Sequence, residues 1–195
     1  YCTIFSLAES PLKPGILWVG TDDGLVHVST DDGKTWTNVT KNLPGLPEWG
    51  TVACIEASPH DANTAYVVVD NHRQDDNAPY LWRTTDLGKT WSRITEKLAK
   101  DDYLRVIRED PKTPGLLFLG SEHHVSFSRD RGETWEKLKL NMPTVAISDL
   151  QVKDNDLVVG TSGRSVWILD DLTALRSWAK KPAKKDFLFA IQPTI

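Results

Sequence analysis

Methionine and cysteine are nearly absent from this 195-residue chain, which has one Met and two Cys. Two thiols, Cys2 and Cys54, cannot build a disulfide framework, and no Cys/His spacing fits a zinc site. No apolar run nears the roughly 18 residues that a membrane-spanning helix needs. Lys/Arg-rich runs are missing too, and the net charge is −4. Nucleic-acid binding requires clustered cations to displace phosphate counterions, so neither nucleic acid nor membrane is an expected partner. The chain opens on Tyr1 with no secretory leader, which leads to the expectation of a processed product or a piece of something longer. Hydrophobic residues at 39% and charged residues at 26% still describe a folded domain, at a length that buries a core without staples. No cofactor or metal is expected.

The excess is in tryptophan. Trp is ordinarily scarce, and eight in this length call for a cause. The cause is a repeated pattern, Ser/Thr-x-Asp-x-Gly-x-Thr-Trp. Its first copy has Ser29, Asp31, Gly33, Thr35 and Trp36. The second has Thr84, Asp86, Gly88, Thr90 and Trp91, and the third Ser128, Asp130, Gly132, Thr134 and Trp135. Upstream, Pro14-Gly15 and Pro114-Gly115 precede the runs 16–21 and 116–121, and Ser58-Pro59 precedes 66–69. A fourth, weaker copy has 157–161 and 166–170, with Asp170 expected at the aspartate position but no Gly or Thr-Trp after it. The units divide the chain at 1–49, 50–102, 103–143 and 144–195.

Each unit contains short runs of β-favouring residues bounded by turn residues. In the first unit they are 3–8, 16–20, 25–29 and 35–39, and the next two units repeat the scheme. The fourth unit lacks its last run at the usual place. The segment 187–191 is expected to supply it, after a short helix in 171–178 and a solvated linker at 180–185. Four antiparallel strands recurring at this period predict an all-β chain made of β-propeller blades. About four blades are present, as part of a larger propeller or as a half-propeller that assembles. The aspartate pattern then lies at the hairpin between third and fourth strands. Its Asp accepts backbone N–H groups, its Gly supplies φ > 0, and its Trp packs into the seam between blades. These residues are read as structural rather than catalytic.

This motif resembles the Asp-box, or bacterial neuraminidase repeat, of sialidases, xyloglucanases, sortilin-type receptor domains and photosystem II assembly-factor-like proteins. The phrases Trp18-Val19-Gly20-Thr21-Asp22-Asp23-Gly24 and Gly163-Arg164-Ser165-Val166-Trp167-Ile168-Leu169-Asp170-Asp171-Leu172-Thr173 are similar to the last blades of large bacterial sortilin-like or glycosyl hydrolase repeat proteins. The resemblance covers residues 1 to about 178. It implies the propeller fold, further blades, and an extracytoplasmic location, and it leaves the activity open, because such folds host hydrolases, receptors and assembly factors.

Topology nominates a functional face. If the first strand of each blade lines the channel, the box turns occupy one face and the second-to-third-strand loops the other. Those loops hold Asp22 and Asp23, the polar insertion 70–79 with His72, Arg73, Asp75 and Asp76, then Glu122, His123 and His124, then Arg164. The blade connections at 44–49, 96–102 and 141–143 add Glu48 and Trp49. Asp22, Trp49, His72, Arg73, His123 and Arg164 are the binding candidates. Glu48, Asp75, Asp76 and Glu122 are candidates for the carboxylate pair, roughly 5 to 10 Å apart, that a glycosidase needs, although no spacing selects two of them. A sialidase would need an arginine cluster and a nucleophilic Tyr; only Arg73 and Arg164 are placed on this face. Plainer readings stand beside these. Asp22 and Asp23 form turns, Arg164 pairs with a neighbouring Asp or caps a loop carbonyl, and Trp18, Trp82, Trp167 and Phe118 are seam core. His123 and His124 point to opposite faces if the loop is extended. The functional expectation is a non-catalytic binding or assembly module recognising a carbohydrate or protein segment. The alternative is a glycoside hydrolase or its remnant, and a third reading pairs the arc of blades with another copy.

Overall fold

The computed structural model describes residues 2–139 and 141–180. The first sheet contains β1 (Ile4–Glu9), β2 (Leu17–Thr21), β3 (Val26–Ser29) and β4 (Thr37–Asn38). The second contains β5 (Thr51–Ala57), β6 (Ala65–Asp70), β7 (Tyr80–Thr84) and β8 (Ser92–Arg93). The third contains β9 (Leu104–Glu109), β10 (Leu117–Ser121), β11 (Val125–Ser128) and β12 (Glu136–Lys137). The fourth has three strands, β13 (Ile147–Lys153), β14 (Asp156–Thr161) and β15 (Val166–Leu169), followed by helix α1 (Thr173–Lys180). Strands in each sheet are antiparallel and lie in chain order, the arrangement of propeller blades. The expected strand at 187–191 lies outside the described residues.

The blades repeat in register as well as in topology. Gly20 faces Val26, Gly120 faces Val125 and Gly160 faces Val166. The innermost pair carries an irregularity near its start, between Ile4 and Ser6, Val52 and Cys54, and Ile147 and Asp149. The first strands lie side by side across blades. Ser6 Oγ accepts the Ile55 N–H at 2.8 Å, and Arg108 Nε donates to the Leu150 carbonyl at 2.9 Å.

Burial follows from the stacking. A middle blade is covered on both faces, so β6 reads Ala-Tyr-Val-Val-Val without polar alternation and is buried throughout. Among the described residues the terminal blades are covered on one face only: Ile4 and Leu7 of β1, and Val166 and Ile168 of β15, are exposed. The seams are large side chains. Trp91 meets Trp18 of the preceding blade edge-on at 5.9 Å, and Trp135 Nε1 donates to the Ile94 carbonyl at 2.9 Å. Glycine permits close approach at the inner seams: a Cβ at Gly20 would collide with Val52 Cγ1, and one at Gly120 would lie 2.6 Å from Ile147 Cγ2.

Four expectations need correction. The last strands hold two residues each instead of five, because the turn itself consumes the residues before them, as with Thr35, whose N–H and hydroxyl bond back to Asp31. Trp36 does not pack in a seam but is 42% exposed, since no blade precedes its own among the described residues. Strand pairing places Leu169 opposite Leu157 as Ser29 is opposite Leu17, so Asp171 and not Asp170 holds the box-aspartate position. Its carboxylate accepts the Thr173 N–H at 2.9 Å and opens α1 instead of a hairpin. Finally, His123 and His124 are not directed apart; both rings meet Asp102. Cys2 and Cys54 are free thiols.

Candidate functional site

The three complete boxes share one hydrogen-bond pattern. Asp31 Oδ1 accepts the Thr35 N–H at 2.8 Å and Oδ2 its hydroxyl at 2.6 Å, while Ser29 Oγ accepts the Gly33 N–H at 2.9 Å. Asp86 with Thr90 and Thr84, and Asp130 with Thr134 and Ser128, repeat it. The hydroxyl and amide of Thr35 and the hydroxyl of Ser29 hold the Asp31 carboxyl at about 2. Asp86 and Asp130 are lowered by the same bonds, against burial. The carboxylates are consumed by turn closure and stay ionised, so they have no proton to give. The residue after each aspartate adopts φ near +60° and donates its N–H to the first hairpin: Asp32 to Gly15, Leu87 to Asn63 and Arg131 to Gly115, each at 3.0 Å.

The opposite face carries the nominated loops. At its channel mouth, Phe5, Thr51, Ala53, Arg105 and Ser148 of the inner strands join Asp70, His72 and Arg73 around a cavity of about 220 Å³. The polar insertion delivers His72, whose N–H and Nδ1 both bond Asp70 Oδ1. Its ring stacks on Tyr103 with centroids 4.5 Å apart. The Tyr103 hydroxyl donates to Glu122 Oε2 at 2.7 Å, and Arg105 pairs with the same oxygen at 2.7 Å. Burial pushes the Glu122 carboxyl up, but the bonds from Tyr103 and Arg105 outweigh it and leave it below the usual range. Arg73 beside this network makes no hydrogen bond or ion pair with any described residue.

The remaining candidates are scattered over the face. Asp22 accepts the Thr3 N–H at 2.9 Å, which lowers its carboxyl. Asp76 is bonded by Asn71, Tyr80 and the Ala78 N–H, and these outweigh burial to lower it, so it pins the insertion. Asp75 closes that insertion with φ +58°. Trp49 is 59% exposed with φ +61°, an uncommon conformation for a bulky side chain, in the connection between the first two blades. Glu48 precedes it. Among the described residues the Arg164 side chain has no Asp or carbonyl partner; its own carbonyl accepts the Trp167 indole N–H. His123 lies on the far side of Glu122 with Asp102.

Sequence reading missed Tyr103 and Arg105 and, at the other mouth, Glu56 and Arg108. There a cavity of about 360 Å³ is lined by Glu9, Glu56, Arg108, Glu109 and Gln151. Arg108 bridges Glu56 at 3.5 Å and Asp149 at 2.9 Å. Burial raises the Glu56 carboxyl to about 7 despite Arg108 and the Glu109 N–H. The available signal was charge inside an inner strand, since Arg105, Arg108 and Glu109 interrupt the apolar residues of β9.

The fold, the boxes and the two mouths together define an Asp-box β-propeller. Residues 24–164 match the Sortilin-Vps10 family (sortilin, neurotensin receptor 3), and the chain belongs to that family. A probable oligoxyloglucan-reducing end-specific xyloglucanase of Neosartorya fischeri is 37% identical over 89 residues, 45% of this chain and 10% of its own length. The xyloglucanase Xgh74A of Acetivibrio thermocellus is 26% identical over 180 residues, 81% of this chain and 21% of its own. The chain thus spans about a tenth and a fifth of these two relatives. Among solved structures, YCF48 bound to D1 peptide superposes with a TM-score of 0.65 at 17% identity, covering 86% of this chain and 51% of that one. The GH74 xyloglucanase of Xanthomonas campestris gives 0.65 at 18%, covering 86% and 29%. No helix among the described residues is long and apolar enough to cross a membrane.

Proposed function

We propose that this chain is a non-catalytic binding module that recognises a protein or glycan segment on the loop face opposite the box turns, at an extracytoplasmic location. The observation that carries the reading is the composition of that channel mouth: Arg73, unpaired among the described residues, beside a His72–Tyr103 ring stack, with the exposed Phe5 lining the same cavity. Stacked rings offer an apolar platform, and a free guanidinium offers planar donors, which suits carbonyl or hydroxyl groups of a ligand. A glycosidase acid needs a raised carboxyl on the substrate face. On this face Glu122 and Asp76 are instead lowered and engaged in internal bonds.

The relatives keep the alternative specific: two curated matches are xyloglucanases, while one structural neighbour is bound to a peptide. Calorimetric titration with xyloglucan oligosaccharides and with a peptide library separates the ligand classes. Binding lost in Arg73→Ala, with no reducing-end release from xyloglucan, is the expected result. Turnover that disappears when Glu48, Asp75, Asp76 and Glu122 are replaced together by amides would establish the hydrolase instead.

A further inference from the structure

A second pocket lies on the same loop face, between the β10–β11 loop and the connection that follows β12. It encloses about 310 Å³ and is lined by His123, His124, Lys137 and Lys139, with Leu138 and Met142 among its apolar neighbours. No carboxylate of the described residues lines it. In a chain of net charge −4 this is an unusual concentration of cation-forming groups. Glu136, next to Lys137 in the strand, is turned away to Arg129 at 2.7 Å. Neither lysine has a partner among the described residues.

The two imidazoles are oriented from behind. Asp102, 6% exposed, bonds His123 Nδ1 at 2.8 Å through one oxygen, while its other oxygen stands 3.2 Å from His124 Nδ1 and accepts the Ser121 hydroxyl at 2.7 Å. Ser121 Oγ in turn accepts the N–H of both histidines. A buried carboxylate that fixes Nδ1 leaves Nε2 as the outward donor, as for a histidine prepared to hold a ligand. The Nε2 atoms meet no described partner.

We infer that this pocket binds an oxyanion, a carboxylate, phosphate or sulfate group, seated between the Nε2 edges of His123 and His124 and the ammonium groups of Lys137 and Lys139. Two outward imidazole N–H donors and two ammonium groups match the acceptors of such a group. The apolar wall from Leu138 and Met142 accommodates the carbon skeleton that carries it. Binding is coupled to protonation. Burial holds the His124 imidazole below its usual range; Lys137 and His123 push it the same way, and Asp102 pushes it up. An arriving anion adds the missing negative charge, so protons are taken up and affinity rises as pH falls.

The site is separate from the mouth that holds Arg73, so its failure and that of the proposed function read out differently. The test follows the imidazole nitrogens of His123 and His124 by NMR while phosphate, sulfate and citrate are each titrated in at constant ionic strength. Saturable shifts of both rings with at least one probe, about tenfold weaker near pH 8 than near pH 6, are expected. The probe that saturates first tells a tetrahedral anion from a carboxylate. The double variant Lys137→Gln/Lys139→Gln alters only exposed side chains and should weaken that binding about tenfold or more. Rings that do not respond to any of the three probes, or a response unchanged in the double variant, would overturn the assignment.

Discussion

Arg176 of helix α1 closes on the carboxylate of Asp110, Nη2 to Oδ2 at 2.8 Å, with Asp110 fully buried and Arg176 only 7% exposed. The guanidinium also reaches Asn155 Oδ1 and the Asp154 carbonyl, so one side chain ties the helix to the third and fourth sheets. Removing one member of a buried pair leaves an uncompensated charge, at a cost of about 3–5 kcal/mol. Arg176→Met should therefore lower the urea unfolding free energy by that order. A loss under about 1 kcal/mol would mean that the pair is not formed in solution.

The seam tryptophans should differ in worth. Trp135 is 9% exposed and bonded to the preceding blade, whereas Trp36 is 42% exposed in the same motif. Trp135→Ala should cost about 3–5 kcal/mol, as for a large core truncation. Trp36→Ala should cost about 1 kcal/mol or less, as for a surface site. Equal losses in parallel denaturant melts would show that something covers Trp36.

Glycine at the blade seam is a spatial requirement. A Cβ at Gly120 would sit 2.6 Å from Ile147 Cγ2 and 2.7 Å from Val106 Cγ1, while one at Gly160 meets nothing closer than 3.5 Å. Gly120→Ala should destabilise by about 1–3 kcal/mol through overpacking. Gly160→Ala should be nearly neutral, and denaturant melts of the two variants check the difference.

Stability should respond to pH in two windows of opposite sign. The folded Asp31 carboxyl is held at about 2, below its unfolded value. Its contribution is whole above roughly pH 4 and is lost as pH falls toward about 2. The Glu56 carboxyl is raised to about 7, so the folded state binds an extra proton between roughly pH 4.5 and 7, and stability declines as pH rises through that range. Urea midpoints from about pH 2 to 8 should show both slopes. Asp31→Asn should reduce the acid slope and Glu56→Gln the neutral one; parallel curves would reject the respective assignment.

The repeated box was enough to predict blades because its residues bond to one another within a single turn, and local bonds leave local traces. What depended on register was less accessible. Leu169 carries no mark that it stands where Ser29 stands, and only strand pairing moves the box position from Asp170 to Asp171. Counted from Leu169 as Trp36 is counted from Ser29, the box-tryptophan position falls on Arg176. There a bond to Asp110 of the preceding blade replaces the indole N–H bond that Trp135 makes to the Ile94 carbonyl. The helix was legible from its spaced Leu172, Leu175 and Trp178, but not what it grips. The mouth network joins His72, Tyr103, Arg105 and Glu122 from two blades, so no window along the chain contains it. For His123 and His124 the assumption of an extended loop failed because Ser121 Oγ bends the backbone to itself, bringing both rings to Asp102.

In each box the residue between aspartate and glycine gives the turn its main-chain N–H, and there the chain carries Asp32, Leu87 and Arg131: an acid, an aliphatic and a base. The turn is indifferent to what is written at that place. Where that side chain faces solvent, as at Asp32 and Arg131, the charge of the rim can be respelled by mutation while the grammar of the propeller stays the same.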